Sequence, residues 1–72
     1  MPELPVLSGA EMIKRLERLG FEQIRQRGSH VILRRGTVGC VVPIHDPLKK
    51  GTMAGILRQA HVSREEFVEA AR

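Results

Sequence analysis

The chain has 72 residues, with 12 Lys and Arg against 8 Asp and Glu and a single cysteine. A chain this short forms one domain and buries only about 60% of the surface it exposes when unfolded, and one cysteine excludes an internal disulfide. No stretch approaches the roughly 18 apolar residues of a membrane span, no signal-peptide pattern precedes Ser8, and a lone thiol suits a reducing compartment, so a soluble cytoplasmic protein is expected.

Residues 1–7 read as an N-terminal extension, loosely ordered, ahead of a single domain. Ser8-Gly9-Ala10-Glu11 is a capping box: the Ser8 hydroxyl and the Glu11 carboxylate each satisfy a backbone N–H at a helix start. Met12, Ile13, Leu16 and Leu19 then recur at helical spacing, and Gly20 suits the position just past the helix end. This predicts a first helix from about Gly9 to Leu19. Phe21 to Gln26 forms a first strand of poor alternation. Phe21, Gln23 and Arg25 point one way, and Glu22, Ile24 and Gln26 the other. Arg27-Gly28-Ser29 turns the chain, His30 to Arg35 is a second strand, and Gly36-Thr37-Val38-Gly39 holds the next turn. Cys40 to Ile44 is a third strand, with Pro43 suited to an edge or an end. His45 to Gly51 is a loop. Thr52 can cap a second helix carrying Met53, Ile56, Leu57 and Ala60 on one side. His61-Val62 breaks the pattern. Ser63-Arg64-Glu65-Glu66 is another capping box, opening a last helix with Phe67, Val68 and Ala71. The order predicts an α+β two-layer sandwich, α-β-β-β-α(-α), with one antiparallel meander.

Charge is concentrated in the middle of the chain. From Arg25 to Arg58 there are seven basic residues and one acid, Asp46. A basic centre between mildly acidic ends attracts a polyanion. The chain lacks Tyr and Trp and has two Phe. Base stacking is therefore a poor mode for it, and contact with phosphates and sugars fits better. Two lysines, Lys49 and Lys50, stand with Gly51 and Thr52 at a helix entrance, where free N–H groups favour anions. The plainer reading there is two solvated lysines before a capped helix. His30, His45, His61 and Cys40 show no zinc-ligand spacing, so no metal and no cofactor is expected.

His30 is the chemical centre of this reading. It sits where a turn becomes a strand, and a titratable ring on a rigid edge suits proton transfer. A histidine that merely begins a strand is the alternative. Strand alternation groups His30, Ile32 and Arg34 on one strand and Val41, Pro43 and His45 on another. Whether these sets share a side depends on hairpin register. His45-Asp46-Pro47 also reads simply as a turn.

Gly28-Ser29-His30, then Val42-Pro43-Ile44-His45, then Lys50-Gly51-Thr52 followed by Ile56-Leu57-Arg58-Gln59-Ala60 resembles the HicA (YcfA-like) toxin family, from about Ser8 to Phe67. Two positions depart from its pattern: Val31 stands where the family often has a second histidine or another polar or aromatic residue, and His61 where a glycine usually follows the alanine. The resemblance implies a fold like a double-stranded-RNA-binding domain, ribosome-independent cleavage of mRNA, and neutralisation by a HicB antitoxin. It places the family's essential histidine at His30. The expected site is then His30 as general acid or base, with Ser29 and His45 as possible support. Arg27, Arg34, Lys49, Lys50, Gly51 and Thr52 would hold phosphate, without metal. An RNA-binding module without catalysis, using the same basic face, is the main alternative. A protein-binding adaptor is a third.

Overall fold

A computed structural model of the chain describes residues 3–70. Its elements are α1 (Gly9–Arg18), β1 (Glu22–Arg27), β2 (His30–Arg35), β3 (Val38–Pro43), α2 (Lys50–Ala60) and α3 (Arg64–Glu69). The three strands form one antiparallel sheet in the order β1-β2-β3. The helices lie on one side of it, giving the expected two-layer α+β sandwich.

Both capping boxes are present: Ser8 with Glu11 opens α1, and Ser63 with Glu66 opens α3. They are legible because all their partners lie within four residues. Each hairpin turn has two residues and starts on a glycine with positive φ, Gly28 at +55° and Gly36 at +61°. Such turns twist in the sense the strands require. The second turn is tighter than expected, so β3 starts at Val38 rather than Cys40. Two-residue closure pairs Val38 directly with Arg35.

The sheet buries one face only. Val31, Leu33, Cys40 and Val42 are buried beneath the helices, against Met12, Leu16, Met53, Leu57 and Phe67. β1 is different, since all six of its residues are exposed. Gln23 pairs with Leu33 and Arg25 with Ile32, which leaves Ile24 as an extra residue, a β-bulge. Alternation therefore breaks inside the strand, and Arg25 does not share a side with Gln23 as expected. Phe21, just before β1, is buried, and the Arg35 guanidinium stacks 4.7 Å from its ring centroid. Arg35 also donates to the Leu19 carbonyl at 2.9 Å, fastening the end of α1 to the end of β2.

Two further expectations change. The segment before α1 has no regular structure, but in its described part Leu4 and Leu7 are buried and the Leu7 carbonyl accepts from Leu48 N–H at 2.7 Å. Apolar burial holds residues that lack any periodic signal. The second helix starts at Lys50, with Lys49 as N-cap and no side-chain cap bond, so Thr52 lies inside the first turn and does not cap it. Burial of Leu48 and its bond to Leu7 fix where that helix begins. His61 ends the helix in the left-handed conformation, φ 55°. Ala71, assigned from sequence to the last helical stripe, lies outside the described residues.

Candidate nucleic-acid interface

Cross-strand partners share a face of a sheet, so register decides which side chains meet. Three rows cross the side away from the helices. Arg27, His30 and Pro43 form the first; Arg25, Ile32 and Val41 the second; Glu22, Arg34 and Gly39 the third. His30 stands between a guanidinium and a proline ring, and Arg25 and Arg34 occupy the rows behind. His30, Arg25, Arg27 and Arg34 are all exposed. The set His30, Ile32 and Arg34 does share its side with Val41 and Pro43, the question that alternation left open.

The His30 turn is held from both flanks. The Gln26 side-chain amide donates to the Gly28 carbonyl at 2.9 Å, and Ile44 N–H donates to the Ser29 carbonyl at 2.6 Å. Ser29 thus serves through its backbone, tying the turn to the end of β3. His45 lies two residues beyond Pro43, where the chain leaves the ladder. Its N–H bonds Pro43 O at 3.0 Å and its carbonyl accepts from Gly9 N–H at 2.8 Å. The backbone of His45 therefore closes a turn onto the start of α1, while its side chain remains exposed.

The lysine doublet is elsewhere. Lys50 and Gly51 line a depression of about 230 Å³ with Glu3, Leu4, Ala54 and Arg64, and no sheet residue lines it. Thr52 follows on the same exposed helix turn. Lys49, Lys50, Gly51 and Thr52 are consecutive at the start of α2, and none of them belongs to the sheet row of Arg27, His30 and Pro43.

Arg25 is the functional candidate that sequence reasoning missed. With unbroken alternation it falls on the side of Phe21 and Gln23, and only the bulge at Ile24 turns it, together with Arg27, away from that side. No local signal marks that bulge. Cys40 is buried on the inner face, where burial pushes its thiol up to about 11, so it packs as a protonated apolar group. Among the described residues, no three of His, Cys, Asp and Glu gather closely enough to hold a metal ion. Nor is any described helix long and apolar enough to cross a membrane.

Residues 9–62 match the family described as the HicA toxin of bacterial toxin–antitoxin systems, three-quarters of the chain and every element from α1 to α2. The chain belongs to the HicA toxin family. It is the toxin member of a toxin–antitoxin pair, so its partner is an antitoxin. Among curated proteins no match is found. The matched span of this HicA chain contains the whole sheet and the turn that carries His30, and stops at Val62, ahead of α3.

Proposed function

We propose that this HicA toxin is a metal-independent, ribosome-independent endoribonuclease that cleaves mRNA on the open face of its sheet, with His30 in acid–base catalysis. The observation that carries this reading is the first row of the sheet: an exposed imidazole on a rigid strand end, beside Arg27 and ahead of Arg25 and Arg34.

RNA supplies its own nucleophile. His30 takes the proton of a ribose 2′-hydroxyl as O2′ attacks phosphorus, or delivers a proton to the departing 5′-oxygen. The O2′–P bond forms, the P–O5′ bond breaks, and the products are a 2′,3′-cyclic phosphate and a 5′-hydroxyl. One positioned acid or base contributes about 10²–10⁴ in rate. The guanidinium groups of Arg27, Arg25 and Arg34 hold the phosphate and offset charge that develops in the transition state. His45 is the candidate for the second proton transfer. Lys49 and Lys50, with Gly51 and Thr52, hold backbone phosphate at a distance from the scissile bond. A HicB-type antitoxin neutralises the toxin by covering the basic face with acidic groups.

The test is incubation of purified toxin with RNA in EDTA, followed by analysis of the new ends. Cyclic or 3′-phosphate ends are expected, and His30→Ala should lose cleavage while keeping both its melting temperature and its RNA affinity. Ends carrying 5′-phosphate, or a His30→Ala protein as fast as the parent, would refute the mechanism. Binding without fragments from the unaltered toxin would leave the non-catalytic RNA-binding reading, which the same arginines also support.

A further inference from the structure

We infer that the free edge of β1 is a docking site for an extended segment of the antitoxin, one in which acidic and apolar residues alternate. This rests on family membership and edge geometry, and not on RNA cleavage.

The two edges of the sheet differ. At β3 the outward N–H of Val41 is occupied by the Gln59 side chain at 3.3 Å, Pro43 has no N–H, and the start of α1 closes on the Pro43 carbonyl. At β1 every residue is exposed, and α1 reaches the strand through side chains, the Gln23 amide donating to the Glu17 carboxylate at 3.3 Å. An edge in that state is a template for one more strand.

The two sides of β1 then set the chemistry of that strand. On the open side stand Arg25 and Arg27. On the helix side the overhanging strand and α1 enclose a trough of about 250 Å³. Its apolar surface comes from Ala10, Ile13, Val31 and Ile44; Gln23 and Gln26 line it from β1, and Lys14 and Glu17 of α1 complete the lining, with the Glu17 carboxylate held by Gln23. Ile44 is 43% exposed there, one of the few large aliphatic side chains left in water. A strand added to β1 sends alternate side chains to opposite faces. Acidic residues would meet the arginines, and apolar residues would fill the trough. The result is a register that one-residue slippage disfavours, because slippage takes the carboxylates away from Arg25 and Arg27 and turns them toward Ile13, Val31, Ile44 and the Glu17 carboxylate.

The probe is the acetylated, amidated peptide Glu-Val-Glu-Val-Glu-Val, followed by amide and methyl NMR shifts of the toxin. Shifts are expected at Gln23 to Arg27 and at Ile13, Val31 and Ile44. Two further peptides are N-methylated, one on every Val and one on every Glu. Only one of these sets can face the edge, so one peptide should bind like the parent and the other should not. The exposed-site variant R25E/R27E should weaken binding about tenfold. Ala10→Arg, which lays a long charged chain across the trough, should weaken it without altering the fold. The inference is overturned if both N-methylated peptides bind equally, or if shifts are confined to the face of His30 and Arg34. Concentration-dependent pairing of the toxin with itself through β1 would also overturn it. None of these readouts depends on RNA, so loss of the nuclease reading leaves this test intact.

Discussion

Gly9→Ala is the substitution on which the packing argument can be judged most severely. Gly9 is the first residue of α1 and meets the end of β3 backbone to backbone. A Cβ built there would overlap the Pro43 carbonyl oxygen and lie 3.0 Å from Ile44 Cα and 3.1 Å from the Pro43 carbonyl carbon. None of these is the movable tip of a side chain, so the helix start must retreat from the sheet. Overpacking of this kind costs about 1–3 kcal/mol. Retreat also stretches the 2.8 Å bond from Gly9 N–H to the His45 carbonyl, a further loss of about 1 kcal/mol. Better helix propensity returns at most about 1 kcal/mol. The net is a destabilisation of about 2 kcal/mol, or a melting temperature lower by about 8–16 °C in a domain of this size. Gly51→Ala is the control, because a Cβ there meets nothing within 4 Å and the site is helical. That protein should melt at or above the parent temperature. Thermal denaturation by circular dichroism reads both. A Gly9→Ala protein within two degrees of the parent, as read by the same melts, would show that the helix start and strand end are not locked together.

Other expectations follow from the same coordinates. Because the folded Cys40 thiol titrates at about 11, above its ordinary value of 9.0, the unfolded chain loses that proton first as pH rises. Stability should therefore fall between about pH 9 and 11, and melts of Cys40→Ala over that window should show a shallower decline. Hydrogen bonds from the Ser8 backbone and hydroxyl hold the Glu11 carboxyl below its usual range. That contribution is present above the unfolded value and lost as pH falls through the folded one, so acid melts of Glu11→Gln should be less pH-sensitive than those of the parent. His61→Gly should raise stability by about 0.5–1 kcal/mol in urea titrations, since only glycine adopts the left-handed conformation there without strain. Removing Arg34 should reduce the slope of log affinity for single-stranded RNA against log salt by about 0.7, measured by fluorescence anisotropy.

How much of this was legible beforehand depended on how far apart the deciding residues lie. Caps and hairpin turns were readable because Ser8 and Glu11, or Gly28 and its neighbours, act within a few residues. The apolar stripe of Met53, Ile56, Leu57 and Ala60 was equally plain, and all four are buried. The place of Arg25 was not readable, because a bulge is set by pairing with Leu33 and Ile32 across the hairpin. Nor was the anchoring of Leu4 and Leu7, which depends on a hydrogen bond to Leu48, far along the chain. His30 could be named from its turn and strand, yet its company, Arg27 beside it and Pro43 opposite, needed the register.

The sheet's buried side chains all point toward the helices, and the described outward-facing ones contribute little to the balance that keeps the chain folded. Substitutions at the exposed Arg25 and Arg34 are thus nearly neutral for folding and are constrained mainly by what the surface must touch. A toxin and its antidote can consequently drift together, exchanging charge and contour at this surface over generations, while the layer beneath stays as it is.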